Sequence, residues 1–223
     1  MSGGESAQVV KSVGSGRGER DTAAARDGGS ETRANILLVA RELFLELGYS
    51  RTSMVAIADR VGIRAPALYW HFASKEAILF AVIDKALVDF LGAITISDAE
   101  DATSQMSELV RRYVTYQLER SSEATGYSSL IEIAKNGRVL TPEHELQLRA
   151  RQREVQHIFK RVLERGQSTS SFDVNDATVT AFALVTLCEH VNTWAHAKGP
   201  KQTAEIAEEY VLLALRMIRA TSR

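Results

Sequence analysis

From Glu31 onward, apolar positions recur at intervals of three and four. Ile36, Ala40, Leu43, Phe44 and Leu47 would form the buried face of a first helix. Gly48 supplies its stop, since glycine tolerates the left-handed conformation at a helix end. Thr52 or Ser53 can cap a second helix, in which Met54, Ile57, Ala58 and Val61 keep the same spacing. Gly62 ends it. A third helix is predicted over 65–72, with Pro66 in its first turn, where a missing N–H costs little. Ser74 caps a fourth that runs from Lys75 to about Leu91. Five more helices are predicted near 103–120, 124–136, 142–166, 175–198 and 202–221. Pro142 opens the long one and Gly166 closes it, while Gly199 and Pro200 separate the last two. No segment alternates with period two between hairpin turns, so the chain reads as all-α.

Residues 1–30 lack this periodicity. They hold seven of the 14 glycines and balanced charges, too little apolar surface to offset the entropy of ordering. The segment reads as a disordered N-terminal arm. Its arginines Arg17, Arg20 and Arg26 could brush DNA, but its neutral charge favours a passive tail.

Composition narrows the class. Hydrophobic residues make up 45% and charged residues 25%, ordinary for a soluble domain. The single cysteine, Cys188, excludes an intramolecular disulfide framework and suits a reducing compartment. No apolar run is long enough to span a membrane, and the N-terminus lacks a secretory apolar core, so the expected location is cytoplasmic. No phosphate loop, nucleophile elbow, zinc-protease helix or paired Cys-x-x-Cys is present, so neither an enzyme nor a cofactor is expected. Cys188, His190 and His196 would point apart at about 100° per helical residue, which argues against a metal site.

Two short helices joined at Gly62 have the geometry of a helix-turn-helix. Ala58 lets the axes approach, Gly62 takes the turn and Ile63 plugs the angle between them. Leu68 and Phe72 point inward. The run 52–63, then Ala67-Leu68-Tyr69-Trp70-His71-Phe72 with Ser74-Lys75-Glu76 and Leu79, resembles the TetR family of regulators. That resemblance covers about 50 residues and implies a role for each matching position. Thr52 and Ser53 stand where the family meets phosphates at a helix N-terminus. Tyr69, His71 and Lys75 match positions that bind backbone phosphates. Arg64, Ala65, Ala67 and Trp70 lie where base edges are read in the major groove. Arg64 departs from the serine or threonine usual there, removing a hydroxyl cap and adding a guanidinium.

Charge tests this expectation. The whole chain carries a net −1, and 31–79 holds six basic against five acidic residues, so no broad basic footprint exists. Positive charge would have to concentrate on one face through Arg51, Arg64 and Lys75.

The remaining helices agree with the TetR family in number and order. The resemblance implies a DNA-binding domain over 31–79 and a ligand-binding and dimerisation domain over 80–223. Val179, Phe182, Leu184, Val185, Leu187, Cys188, Val191 and Trp194 make the helix near 175–198 apolar all round, so it must be covered on all sides. With the final helix it would build a four-helix homodimer interface, placing two recognition helices about one DNA turn apart on a palindromic operator of double-stranded DNA. Glu189, Thr193 and His196, with Asn192 beside them, form a polar stripe that could anchor a ligand, with a solvent-facing strip or bonding across the dimer the favoured readings. Candidate ligand-binding residues are Tyr113, Tyr116, Leu130, Phe159, Phe182, Val185 and Glu189, chosen for apolar bulk or for that stripe. The segment 172–176 followed by Trp194 is weakly similar to relatives that sense acyl-coenzyme A thioesters, one candidate among small apolar effectors. A repressor released when ligand tilts the fourth helix is the expected mechanism.

Overall fold

The computed structural model describes residues 18–98, 100–195 and 202–219. Among them are nine α helices and no strand. Helices α1 (Gly18–Glu46), α2 (Met54–Val61) and α3 (Ala65–His71) form an N-terminal trio. Helix α4 (Lys75–Ala93) leads to α5 (Ala102–Glu119), α6 (Ser121–Asn136), α7 (Pro142–Ser168), α8 (Ala177–Glu189) and α9 (Thr203–Met217). No helix among the described residues is long and apolar enough to cross a membrane.

Two apolar cores hold these helices. The first gathers Ile36, Ala40 and Phe44 of α1, Ile57 of α2, Leu68 of α3 and Ile78, Leu79 and Ile83 of α4. It continues past residue 79 to Leu87 and takes in Leu130 and Ala134 of α6 and Leu148 of α7. The second is built from α5, α7, α8 and α9, with α5 packed along α9 and α7 against α8. Helix α4 contributes to both clusters, through Ile78–Leu87 in one and Phe90 and Leu91 in the other. Any tilt of α4 therefore moves side chains in two cores at once.

Three expectations need correction. The first helix begins at Gly18 rather than Glu31, so 18–30 is not the disordered arm that composition implied. A helix held by its packed C-terminal half propagates outward without needing an apolar face, and Ala23–Ala25 favour it. Arg17 lies outside the described residues. Helix α7 does not stop at Gly166 but runs to Ser168. Gly166 is buried instead, and a Cβ there would fall 1.9 Å from Cδ2 of Phe172, so the glycine admits that ring. Helix α8 ends at Glu189, well short of 198, and a 3-10 turn over Val191–Thr193 follows. Burial of Val191 and Ala195, with the Trp194 indole donating to Tyr210 Oη at 3.0 Å, pulls the chain out of the helical path.

Helix α8 has one side in the core and one uncovered in the single chain. Ala181, Leu184, Val185 and Cys188 face the core, while Val179 and Phe182 are 65% and 49% exposed. Helix α9 likewise buries Ile206, Tyr210 and Ala214 but exposes Leu212, Leu213 and Met217.

Candidate nucleic-acid interface and ligand cavity

The turn between α2 and α3 is set by Gly62, which takes φ +83° and donates its N–H to Ala58 and Asp59 carbonyls. Ser53 caps α2, its hydroxyl accepting from the Ala56 N–H at 3.1 Å. Helix α3 starts at Arg64 without a side-chain cap, as the missing hydroxyl required, and Pro66 sits in its first turn. Leu68 is fully buried and Phe72 nearly so. The opposite side of α3 presents Tyr69 and Trp70, the latter 90% exposed. Arg64 and Ser53 are exposed as well, while Ala65, Ala67 and His71 are half-buried. An indole on a short helix with nearly all its surface in water has no role in packing this chain.

Two of the expected phosphate contacts are redirected inward. Thr52 is 1% exposed, and its one hydroxyl proton is shared between the Gly48 and Leu43 carbonyls, so the side chain ties the loop after α1. Lys75 sends its ammonium into the same loop. Its Nζ donates to the Tyr49 and Thr52 carbonyls, both at 2.7 Å, and lies 4.2 Å from the Tyr49 ring centroid. Partial desolvation lowers its pKa. Sequence matching cannot see that two carbonyls of the α1–α2 loop point at the first turn of α4, where they take two of the three Lys75 N–H donors. Arg51 is also anchored, its Nε donating to the Leu47 carbonyl at 2.6 Å.

A consequence follows for stability. Hydrogen bonds from a charged donor contribute about 1.5–3 kcal/mol each way they are measured. Lys75→Met keeps the apolar stem and leaves two carbonyls unpaired, so the urea midpoint is expected to fall by the equivalent of about 2 kcal/mol. A purely phosphate-binding lysine would leave that midpoint unchanged.

Glu76, one residue on, binds the start of α7. Its carboxylate accepts from the Thr141 N–H at 3.1 Å and pairs with Nδ1 of His144 at 2.6 Å, while that imidazole stacks on Phe80 at 3.9 Å. The first turn of α4 is thus fastened on one side to the α1–α2 loop and on the other to the start of α7.

Beneath α4 lies a cavity of about 560 Å³. Its walls come from α1 (Leu37, Arg41), α4 (Phe90), α5 (Tyr113, Tyr116), α6 (Tyr127, Leu130), α7 (Val155) and the end of α8 (Glu189). Phe90 meets Tyr113 edge-on at 4.8 Å and Tyr116 at 5.1 Å, giving an aromatic lining. Lys85 at the rim is paired with Asp89 at 2.8 Å, and Arg120 stacks on Tyr116. Burial first, then the charge of Glu189, raises the Tyr113 hydroxyl well above the usual tyrosine range. A second hollow of about 450 Å³ lies between α4, α5 and α7, with Arg161 and Arg165 at its edge.

Of the seven residues expected to bind ligand, Tyr113, Tyr116, Leu130 and Glu189 do line the first cavity. Phe159 stands behind the wall, fully buried with its ring 6.1 Å from that of Tyr113. Val185 is in the core, and Phe182 faces outward from α8. Apolar bulk cannot say which side of a helix faces a cavity. Of the polar stripe, Glu189 and Asn192 line that cavity, Thr193 belongs to the 3-10 turn, and His196 lies outside the described residues. Arg41, Gln117 and Tyr127 also line the cavity and were missed. Nothing in their spacing marks them, because three helices distant in sequence bring them together.

Comparison with known proteins agrees with this arrangement. Residues 36–82 match the family model described as bacterial regulatory proteins, tetR family, and 99–218 match the tetracyclin repressor-like C-terminal domain. The transcriptional activator FasR of Mycolicibacterium smegmatis is 36% identical over 64 residues, which are 29% of each chain. The match thus spans under a third of that relative's length. A tetR-family regulatory protein from Rhodococcus RHA1 superposes with a TM-score of 0.71 at 27% identity, over 86% of this chain and 98% of the other. The fold is also that of AibR, solved with isovaleryl coenzyme A and operator DNA, at a TM-score of 0.66 and 21% identity over 85% of this chain and 100% of the other. With a C-terminal match covering more than half of the chain and a helix-turn-helix match ahead of it, this protein belongs to the TetR family of bacterial transcriptional regulators.

Proposed function

We propose that the protein is a ligand-responsive repressor that binds a palindromic operator as a homodimer and lets go when a small apolar effector enters the cavity beneath α4. The observation that carries the DNA-binding half is the bare outer side of α3. Trp70, Tyr69 and Arg64 stand exposed on a short helix whose other side is locked by Leu68 and Phe72. A helix so presented fits a major groove, with Arg64 available for a guanine or a phosphate. Ser53 and the N-terminus of α2 offer a further phosphate contact. Ala65, Ala67 and His71 would approach the DNA within the same helix.

The effector half rests on the position of the cavity. Its wall includes Phe90 of α4, and the opposite end of that helix is tied by Lys75 to the DNA-facing loop. A ligand that prefers a tilted α4 lowers operator affinity by as much as it prefers that state. AibR, sharing the fold, holds both isovaleryl coenzyme A and operator DNA, which supports the pairing of the two sites and keeps an acyl-coenzyme A thioester among the effector classes. The exposed apolar stripes of α8 and α9 support dimerisation through the last two helices, since contiguous apolar surface of this kind is costly in water.

Titration of the purified protein against its own upstream DNA at several salt concentrations tests the reading. Trp70→Ala and Arg64→Ala are each expected to weaken operator binding by about 1–3 kcal/mol, about five- to 150-fold, with melting unchanged because both side chains are exposed. If Arg64 holds a phosphate, its removal also lowers the salt slope by about one. Salt-insensitive or undetectable binding to every upstream fragment, and to duplexes selected from random sequence, would sink the proposal.

A further inference from the structure

One wall of the cavity beneath α4 comes from α1, the first helix of the N-terminal trio. Ala34, Leu37, Leu38 and Arg41 line it, at offsets of three, four and seven that put them on a single face of that helix. Five charged residues border the cavity, and four of them, Lys85, Asp89, Arg120 and Glu189, are exposed. Arg41 is half-buried. Among the described residues its guanidinium makes no hydrogen bond and has no carboxylate within ion-pair distance. Lys85, by contrast, is paired with Asp89 at 2.8 Å. Across the cavity the half-buried polar groups include the amides of Gln152 and Gln156 on α7 and of Asn192 in the 3-10 turn, which carry no charge to balance Arg41.

A charge partly withdrawn from water and left unpaired costs free energy that an anion beside it returns. A planar carboxylate meets the guanidinium fork with two parallel hydrogen bonds. Much of the remaining wall is apolar or aromatic, through Phe90, Tyr113, Leu130 and Val155. Leu38, 58% exposed on the same face of α1 as Arg41, is apolar surface that a bound chain or ring would cover. Taking the cavity as the effector site, as above, we propose that its ligand is an amphipathic monocarboxylic acid, with the carboxylate on Arg41 and the hydrocarbon part against Phe90 and Leu130. One free half-buried cation takes one negative charge, and a neutral ligand would leave Arg41 as it is. Such an acid bears on α1 directly. Ala40 and Phe44, on either side of Arg41 in α1, sit in the core shared with Ile57 of α2 and Leu68 of α3. The ligand therefore reaches the helix-turn-helix through α1 as well as through α4.

Calorimetric titration of the full chain, without DNA, compares octanoate with octanamide and biphenyl-4-carboxylate with its amide. At least one acid is expected to bind, and to bind about tenfold or more tightly than its amide, as a charge-assisted hydrogen bond allows. Added salt should weaken the acid and spare the amide. Arg41→Gln and Arg41→Met should each lose the preference for the acid while melting as wild type does. Arg41→Lys, which keeps the charge but not the fork, should retain part of it. Arg120→Gln should keep it in full. Absence of binding by both acids, amides bound as tightly as acids, or a preference that survives Arg41→Gln overturns the proposal. So does a lower melting temperature in both neutral variants, since the guanidinium would then already be used within the chain. The repressor reading fails separately: acid binding by a protein that ignores every operator sinks that reading alone, and operator binding by a protein blind to both acids sinks this one alone.

Discussion

Phe182→Glu is expected to turn the proposed dimer into a monomer and to cut operator affinity by at least about a hundredfold. The ring is half exposed on the outward side of α8, so a single chain loses little when it is replaced. In a two-fold interface the residue counts twice, since each chain presents the same surface to the other. Burying an unpaired carboxylate there costs several kcal/mol, by analogy with other buried charges left alone. Two linked recognition helices gain about 10²–10⁴ in avidity over one, and dissociation forfeits that gain. Analytical ultracentrifugation reads the assembly and operator titration reads the affinity. A Phe182→Glu protein that stays dimeric with wild-type operator binding would remove α8 from the interface, and Leu213 and Met217 of α9 would be the next residues to test.

The second large effect is expected at Gly166. Helix propensity alone favours alanine over glycine by about 1 kcal/mol. Here the added Cβ would meet three atoms of the Phe172 ring, at 1.9, 2.3 and 2.5 Å. That ring is 5% exposed, and its backbone N–H donates to the Gly166 carbonyl at 3.1 Å, so it cannot simply swing away. Overpacking costs roughly 1–3 kcal/mol, and expelling a buried phenylalanine about 3–5. Gly166→Ala should therefore lose about 3 kcal/mol or more in urea unfolding. Phe172→Leu in the same background should recover part of it by vacating the space. An alanine variant that is more stable than wild type, as propensity would have it, would mean that α7 and the loop after it are not in close contact.

These two positions also mark where pattern reading succeeds and where it stops. The apolar excess of α8 announced a helix with two packed sides, yet the side given to the core and the side left outward depended on where α7 lay. Gly166 had the look of a helix stop because glycine has that meaning in most sequences; its actual role depends on a ring six residues later folding back over it. Thr52 and Lys75 matched phosphate-binding positions, and only the loop around Tyr49 and Gly48 turned them inward. Tyr127 carried no signal, because its cavity is assembled from helices up to about 150 residues apart in the chain.

What the sequence determined by itself is what local physics determines. Three- and four-residue spacing specifies helices, Ser53, Ser74 and Pro142 start them, and Gly62 with its positive φ makes the turn that places α3. Those choices involve residues a few positions apart, whose energies a reader can weigh without knowing the fold. What only the tertiary structure decided is which polar groups are used up at home. The Lys75 ammonium and the Thr52 hydroxyl bond loop carbonyls, while Trp70 and Phe182 stay exposed and the Tyr127 hydroxyl has no partner among the described residues. Such pairings form across long stretches of sequence, where contact depends on how helices pack and not on how residues are spaced.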